Sequence, residues 1–367
     1  MADVKHIKAQ FVYAVQNKHS KLAVELAFKV ENQIDALLIS IDNNATEVAE
    51  ELLRRGWNAN ETRTGSLSNA LHAAVTARNS EIIDTLVRHG TQVNAVDRRG
   101  CTPLYKCLSM KMGVKRLKVY EALMRYIGDI HTQDNESRSE SVLHIMARNR
   151  SVPYYVFKEI LEKGVDVNRG DRYTGHTFYM DMIIFFGGDA ISTCEQVGKL
   201  AWEHGLRING TDFYGNSVLH RAASEERVKI CNWLAELPGV SIEKKNHLQW
   251  SPMFYAVKRN NIQVAKILYK MGHGFQGTAY EHCNAESKIS MDEVAKIKGN
   301  WELAKIIRRE NRIGQKTPFT LKSLAKNKIR ERLANAGFNI APKVERLPLP
   351  NILKSYLLWL DYHADLP

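Results

Sequence analysis

The chain has 367 residues, of which 44% are hydrophobic and 25% charged, and its formal net charge is +12. These values are ordinary for folded domains and argue against a disordered chain, and the length suits two domains or one long repeat array. No apolar run is long enough to span a membrane, so a membrane protein is not predicted. The five cysteines include no CxxC pair, so neither a disulfide framework nor a zinc framework is predicted. The N-terminal residues lack the apolar core of a secretory signal, so we expect a cytoplasmic protein, with the nucleus as a second compartment.

The positive charge is concentrated late in the chain. From residue 285 onward there are sixteen Lys/Arg and nine Asp/Glu. This excess raises the question of nucleic acid, but no cluster of aromatic residues accompanies it to stack on bases. The pattern therefore favours a solvated or partner-facing basic surface over nucleic-acid binding.

A residue that can cap a helix recurs along the chain at spacings of 33 to 40 residues. Its side-chain oxygen can accept a hydrogen bond from the free amides of the first turn, and a large apolar residue follows two positions later. Proline follows two of these residues directly, which suits the first position of a helix. The predicted caps are Asp35, Asn69, Thr102, Ser141, Thr177, Ser217 and Ser251.

A glycine follows each predicted cap after 21 to 28 residues. Two segments whose apolar residues have helical spacing lie between the cap and that glycine. Glycine is common just past a helix, where the backbone takes a positive φ. Each unit is therefore predicted to contain a short helix, a turn, a longer helix and an extended turn. A degenerate unit is expected in residues 1–31, and a further unit begins at Ser290. The predicted terminal glycines are Gly56, Gly90, Gly128, Gly164, Gly205, Gly239 and Gly272.

These units resemble the ankyrin repeat. Thr102-Pro103-Leu104-Tyr105 matches the TPLH segment of that family, and Gly164-Val165-Asp166-Val167-Asn168 matches its GADVN ending. The resemblance implies an all-α solenoid of about seven to nine helix-turn-helix units over residues 1–310. Since stacked units present a long continuous surface, the expected role of this array is to bind another protein.

Three histidines, His72, His144 and His220, occupy the same place in their units. Neither carboxylates nor cysteines recur beside them, so we predict a structural hydrogen bond and no metal site. No catalytic residue, metal ligand or cofactor is predicted anywhere in the chain.

Two units are longer than the others, with SMKMGVKRLK (residues 109–118) and FFGGDAISTC (residues 185–194) as the additional segments. Additional residues in repeats usually emerge as surface loops, so loops are predicted here. Whether they determine specificity or are merely tolerated is left open by the sequence.

The repeat period ends after Glu310, and residues 311–319 are predicted to be a polar linker. Residues 320–333 then carry an apolar stripe typical of an amphipathic helix. An extended LPLP segment and a final helix, NILKSYLLWL, follow. More than one face of that last helix is apolar, which indicates a surface for a partner.

This C-terminal region resembles a SOCS box. TLKSLAKNKI (residues 320–329) is similar to the elongin-binding box, and LPLP followed by LKSYL is similar to the cullin-selecting box. The whole chain is therefore similar to the ankyrin-repeat and SOCS-box family, with the SOCS box at 320–367. Within it, the elongin-binding box covers about residues 320–333 and the cullin box about residues 347–358.

The resemblance implies two sets of contact residues. Elongins B and C would contact Leu321, Leu324, Ala325, Ile329 and Leu333. Cullin five would contact Leu347, Pro348, Leu349, Pro350, Leu353, Tyr356 and Leu357. The elongin-binding box usually carries cysteine where this chain has Ala325, and the lost contact should weaken the interface by roughly 1 kcal/mol.

The resemblance implies a non-catalytic substrate adaptor of a cullin-RING ubiquitin ligase. Its partners would be elongins B and C, cullin five with its RING partner, and a substrate protein of unknown identity. Three alternatives remain: an ankyrin scaffold with a non-functional C-terminal cap, an ankyrin protein of viral type with an F-box-like tail, and a basic nucleic-acid-associated regulator.

Overall fold

The computed structural model describes residues 2–30, 32–62, 65–127, 130, 140–271, 278–280 and 288–316. By its internal packing the chain divides into two compact units, Met1–Leu206 (the first unit) and Arg207–Pro367 (the second unit). Each is built mainly from pairs of consecutive helices, which confirms the predicted helical ankyrin-repeat fold.

The first unit holds six helical pairs in its described residues. In chain order the pairs are α1 (Ala2–Gln16) with α2 (Ser20–Ala27), α3 (Gln33–Asp42) with α4 (Thr46–Arg54), α5 (Ala70–Ala77) with α6 (Glu81–Arg88), α7 (Pro103–Ser109) with α8 (Val114–Met124), α9 (Val142–Arg148) with α10 (Tyr154–Glu162), and α11 (Phe178–Phe185) with α12 (Ile191–Glu203).

The second unit holds three helical pairs and one short hairpin in its described residues. The pairs are α13 (Val218–Ser224) with α14 (Val228–Glu236), α15 (Pro252–Lys258) with α16 (Ile262–Lys270), and α17 (Met291–Ile297) with α18 (Trp301–Lys316). Strands β1 (Thr278–Tyr280) and β2 (Lys288–Ser290) pair antiparallel, with Thr278 opposite Ser290. The sequence did not predict this hairpin.

Within each unit the first helices of successive pairs pack on one another, and so do most of the second helices. The apolar residue two positions after each predicted cap is buried in this packing, with at most 1% of its surface exposed. These residues are Leu37, Leu71, Leu104, Leu143, Tyr179, Leu219 and Met253. Burying one such side chain contributes about 1.5–3 kcal/mol, so the repeated position supplies much of the core.

Six of the seven predicted caps occupy the N-cap position of a first helix. The prediction for Asp35 is wrong, because Asn32 caps α3 and accepts a hydrogen bond from the amide of Ile34 at 3.2 Å. Asp35 lies in the first turn instead, where a carboxylate is favoured by the helix dipole, and it pairs with Lys8 at 2.6 Å. The hydroxyl of Thr177 makes no capping hydrogen bond, although the residue stands at the right place.

The unit predicted to begin at Ser290 is also present. Ser290 caps α17 and accepts a hydrogen bond from the amide of Glu293, whose carboxylate accepts one from the amide of Ser290 at 2.8 Å. This reciprocal capping box satisfies two amides that the helix leaves unpaired.

Five of the predicted terminal glycines have φ between +79° and +89°, as their role requires: Gly56, Gly90, Gly164, Gly205 and Gly239. At Gly90 an added Cβ would meet nothing within 4 Å, so the backbone conformation alone demands glycine there. Gly128 and Gly272 lie outside the described residues.

The two additional segments are mostly not loops, so that prediction is wrong for most of their length. Val114 begins α8 inside the first segment, and a 3-10 turn at Gly188–Ala190 leads into α12 inside the second. The resulting helices have 11 and 13 residues, whereas α6 has 8. The added residues thus lengthen the second helix of each pair, and in the first segment leucine, lysine and arginine favour this through their good helix propensity.

Helix α18 continues to Lys316, so residues 311–316 of the predicted linker are helical. Gly314 costs a helix only about 1 kcal/mol, which neighbouring arginine, glutamine and lysine residues offset through good helix propensity. The division between array, linker and SOCS box remains a prediction. None of the described helices combines the length and the hydropathy that crossing a bilayer would require.

Candidate protein-binding surface

The extended turns between helical pairs form what we call fingers, each named after the Asp or Asn that organises it. Four of them are the Asp97 finger (residues 94–101), the Asp171 finger (168–176), the Asp212 finger (209–216) and the Asn246 finger (243–250). In each, the side chain of the named residue accepts hydrogen bonds from backbone amides farther along the turn. Asp and Asn favour such turns because their short side chains reach the local backbone.

The same two contacts recur in three of the fingers. Asp97 Oδ1 accepts from the amides of Arg99 at 2.8 Å and Cys101 at 3.0 Å. Asp212 Oδ1 accepts from the amides of Tyr214 at 2.9 Å and Asn216 at 2.8 Å. In the Asn246 finger, the side-chain oxygen accepts from Leu248 at 3.0 Å and Trp250 at 2.9 Å.

In the Asp171 finger the carboxylate is bonded more extensively. It accepts from the amides of Tyr173 at 2.8 Å, Thr174 at 2.9 Å and His176 at 3.0 Å, and from the hydroxyl of Thr174. Burial alone would raise the pKa of Asp171, but these hydrogen bonds favour the ionised form and bring its pKa below the usual value. The charge therefore stabilises the finger at neutral pH.

The three repeated histidines connect a first helix to the finger that follows it. His72 Nε2 lies 2.9 Å from the carbonyl oxygen of Cys101, and His144 Nε2 lies 2.9 Å from that of His176. His220 Nε2 lies 3.0 Å from the carbonyl oxygen of Trp250. All three rings are buried, which confirms the predicted structural hydrogen bond.

The hydrogen bonds also determine the protonation of His220. The amide of Ser217 donates to Nδ1 of His220 at 3.1 Å, so Nδ1 is the acceptor and Nε2 carries the proton given to Trp250. A second proton on Nδ1 would face the amide proton of Ser217. Burial is the main cause that lowers the pKa of His220 to about 4, and it lowers the pKa of His72 and His144 as well.

The two residues after each organising Asp or Asn form the tip of the finger. The four tips are Arg98-Arg99, Arg172-Tyr173, Phe213-Tyr214 and His247-Leu248, and none contains an acidic residue. Tyr173 is 71% exposed, Phe213 60% and Tyr214 57%. Large exposed aromatic side chains on a rigid turn are typical of protein-binding surfaces.

In the second unit, the Asp212 and Asn246 fingers are joined to each other. The amide of His247 donates to the carbonyl oxygen of Tyr214 at 3.0 Å. Below the tips, Asn216 Oδ1 accepts from the side-chain amide of Asn246 at 2.8 Å and from the hydroxyl of Tyr255 at 3.0 Å. These bonds fix the two tips side by side.

In the first unit, a buried charged cluster lies between a finger and the first helices. Arg148 contacts Glu140 at 2.5 Å and Asp181 at 3.0 Å, and both carboxylates are almost fully buried. The hydroxyl of Tyr105 donates to Glu140 at 2.7 Å, and His176 Nδ1 lies 3.0 Å from Asp181. Since every charge has an opposite partner, the cluster ties α7, α9 and α11 to the Asp171 finger.

The described residues contain no metal-binding constellation. No group of three or more His, Cys, Asp or Glu side chains there could hold a metal ion. Cys107, Cys194 and Cys231 are buried, and burial raises the pKa of Cys107 and Cys231 to about 12. Those two thiols are protonated at neutral pH, so they act as small apolar side chains.

The residues predicted to contact elongins and cullin five all lie outside the described residues, since the structure describes nothing beyond residue 316. Their roles therefore remain predictions.

Sequence profiles of known families match three parts of the chain. The profiles for ankyrin repeats match residues 11–97 and 37–134, and again residues 219–268. The SOCS-box profile matches residues 317–358. The chain belongs to the ankyrin-repeat and SOCS-box proteins. All the residues predicted to contact elongins or the cullin lie inside the SOCS-box match.

Two curated relatives are similar to parts of the chain, and one of them is an ankyrin repeat and SOCS box protein. The human ankyrin repeat and SOCS box protein 6 is 29% identical over 192 residues, which cover 48% of this ankyrin-repeat and SOCS-box chain and 44% of that protein. The chain thus spans less than half of the human protein. An I-kappa-B like protein, I1, of Microplitis demolitor bracovirus is 27% identical over 135 residues, covering 36% of this chain and 79% of the viral protein.

Among solved structures, the ankyrin repeat domain of Bcl-3 resembles this chain with a TM-score of 0.53. The match covers 64% of this chain and 97% of the Bcl-3 domain at 19% identity, so it establishes the fold alone.

The SOCS-box architecture is typical of substrate adaptors in ubiquitin ligases, and SOCS boxes in general bind elongins B and C and a cullin.

Sequence reasoning identified the caps and histidines of this ankyrin-repeat and SOCS-box chain but missed its organising Asp and Asn residues. A signal was present, because Asp97, Asp212 and Asn246 each stand five positions before a predicted cap, and Asp171 stands six before one. Aligning the repeats on their caps would have shown this polar position and the basic or aromatic tips after it.

Proposed function

We propose that this chain is the substrate-recognition subunit of a cullin-RING E3 ubiquitin ligase. Its ankyrin repeats bind the target protein, and its SOCS box binds elongins B and C together with cullin five and the RING partner of that cullin. The observation that carries the proposal is the presence of ankyrin repeats and a SOCS-box match in one chain. The rigid fingers, with their exposed aromatic tips, support the binding half of this role.

In this role the chain is not an enzyme but acts through proximity. Ubiquitin moves from the thioester of its carrier protein to a lysine of the substrate, and both are held in one assembly. Tethering raises the effective concentration of that lysine, often to the millimolar range for flexible links.

We further propose that the chain acts in the cytoplasm, with the nucleus as a second compartment. Imaging of a fluorescently tagged chain would test this localisation.

Co-purification with elongins B and C tests the proposal. We expect the wild-type chain to retain both elongins, and Leu321→Ala combined with Leu324→Ala to lose them. Each buried leucine should contribute about 2 kcal/mol, so affinity should fall at least about a hundredfold. Titration calorimetry with a purified elongin B–C complex measures this directly.

A matched control removes two exposed apolar residues elsewhere. Leu22 is 47% exposed and Val114 75%, so Leu22→Ala combined with Val114→Ala should leave elongin affinity unchanged. If the double leucine variant bound elongins as tightly as wild type, the assignment of the elongin-binding box would be wrong. A wild-type chain without any elongin affinity would favour the ankyrin scaffold with a non-functional C-terminal cap.

A further inference from the structure

We propose that the second unit recognises an acidic segment of its protein partner, with Phe213 and Tyr214 as the main anchors. The surface, which we call the tip patch, consists of Phe213, Tyr214, Lys245 and His247. The inference rests on the proposed function only in identifying this partner as the substrate to be ubiquitinated.

The first argument is the exposure of two neighbouring aromatic rings. Phe213 and Tyr214 are 60% and 57% exposed at the tip of the Asp212 finger. Aromatic side chains are enriched among the residues that dominate binding energy in protein interfaces. Two such rings next to each other give the patch its apolar centre.

The second argument is that the patch is already held in place. Asp212 fixes the turn through the amides of Tyr214 and Asn216, and the amide of His247 fixes the neighbouring finger to Tyr214. Asp212 is itself bonded to Arg221 at 2.5 Å and is buried. Because the backbone is fixed and each ring has only two rotatable bonds, binding a partner costs little conformational entropy.

The third argument is charge. Residues 207–271 contain ten Lys/Arg and five Asp/Glu, so this stretch carries a net positive charge. One of the five acidic residues, Asp212, already pairs with Arg221, and Lys245 and His247 are exposed on the neighbouring Asn246 finger. A positive field around an apolar centre complements a partner that carries carboxylates next to apolar side chains.

The same features favour a protein over a nucleic acid. A single-stranded nucleic acid needs a row of cations along its phosphates, together with its stacking platform. Several nearby cations are engaged by this chain instead: Lys244 donates to the carbonyl oxygen of Asn209 at 2.8 Å, Arg221 pairs with Asp212, and Lys258 lies 3.8 Å above the ring of Trp250. These three cations are therefore not available to follow a phosphate backbone.

The test uses the purified full-length chain and a displayed library of random linear peptides. We expect the selected peptides to be enriched in Asp and Glu next to apolar residues, and their binding to weaken in about 0.5 M salt, where charges are strongly screened. Phe213→Ser combined with Tyr214→Ser should lower the affinity of a selected peptide at least about tenfold, and Lys245→Glu should lower it further. Fluorescence anisotropy of the labelled peptide measures each affinity.

Matched controls come from the same unit. Ile262 is 41% exposed and Lys266 is exposed on α16, away from the fingers, so Ile262→Ser and Lys266→Glu should leave peptide affinity unchanged. The proposal is overturned if no peptides are selected, if they lack acidic residues, or if they bind the Phe213→Ser, Tyr214→Ser variant as well as wild type. It is also overturned if a single-stranded oligonucleotide binds the patch with the same dependence on these two residues.

The assay contains no elongin and no cullin, so its outcome is independent of the SOCS box. Peptide binding without elongin binding would refute the ligase role and keep the tip patch. Elongin binding without an acidic peptide preference would refute the tip patch and keep the ligase role.

Discussion

Two kinds of polar residue hold the Asp97, Asp171 and Asn246 fingers in place, an Asp or Asn inside the turn and a buried histidine on the preceding first helix. In the second unit, Asn246 binds the amide of Trp250 while His220 binds the carbonyl of the same residue. Both backbone groups of one residue are thus satisfied by side chains. Leaving either group unpaired inside the fold would cost about 1–3 kcal/mol.

The neutral histidines make stability depend on pH, and His220 offers the clearest test. Its pKa falls from the ordinary 6.5 to about 4 in the folded chain, so its contribution is complete above pH 6.5 and is lost as the pH falls toward 4. The free energy of unfolding should decrease by about 1.4 kcal/mol per pH unit in that window for this histidine alone. Urea titrations at pH 7.5 and 5.5 measure the decrease.

His220→Gln is the matched variant, because glutamine can complete a capping box but does not titrate in this range. We expect it to be less stable than wild type at pH 7.5, and to lose about 1 kcal/mol less than wild type on going to pH 5.5. Identical pH dependence in the two proteins would show that His220 does not titrate with unfolding.

The roles of single residues could be predicted where a hydrogen bond joins residues close in sequence and the same pattern recurs in several repeats. A cap such as Thr102 needs only the amide of Tyr105, three residues away, so its sequence context is enough. The Glu140–Arg148–Asp181 cluster joins residues up to 41 positions apart, and no local pattern indicates that they meet. Asp35 was misassigned because Asn32, three residues earlier, is an equally good cap.

At the scale of helices and strands, the two longest second helices of the middle repeats come from the additional segments. Helix α12 has 13 residues and carries Gly198 in its interior, against the side chain of Tyr179 on α11. Tyr179 is fully buried, and a Cβ on Gly198 would lie 2.8 Å from its Cε2 atom. The glycine therefore allows two helices of one repeat to approach closely.

Gly198→Ala should destabilise the chain, although glycine to alanine in an exposed helix stabilises it. The expected cost is about 1–3 kcal/mol, because the ring of Tyr179 must shift within a packed core. Urea unfolding measures this cost. Adding Tyr179→Leu makes room for the methyl group, so Gly198→Ala should cost clearly less in that background. Equal cost in both backgrounds would contradict a steric role for Gly198.

Elements were predicted best where helical periodicity was combined with a cap and a glycine. The pair α17–α18 was found from Ser290 and the apolar spacing after it, yet the end of α18 was placed six residues too early, at 310 and not Lys316. The hairpin β1–β2 escaped prediction because each strand has three residues, too few to show alternation.

At the scale of the whole molecule, the proposed adaptor carries one binding function in its repeats and another in its SOCS box. The sequence indicated both, because the repeats recur many times and the SOCS-box residues form two recognisable boxes in a fixed order. It could not indicate which of the repeats bind a partner, since the exposure of each tip depends on how its finger folds.

Pro348→Ala combined with Pro350→Ala tests the proposed choice of cullin. We expect this variant to retain elongins B and C but to bind cullin five at least about tenfold more weakly, because only the cullin box is altered. Pull-down from a mixture of purified subunits measures both, and elongin recovery serves as the internal control. Undiminished cullin five recovery would contradict the predicted role of the LPLP segment.

The organising Asp and Asn residues have one more consequence. Since the backbone of each finger is held by a side chain that lies outside its tip, the two tip residues can be exchanged with little effect on folding. In the proposed role, a new pair of residues at 213 and 214 would redirect the chain to another target while its SOCS box stays unchanged. Fingers of this kind would allow the target to change rapidly in evolution. They also offer a defined place at which to engineer targeted protein degradation.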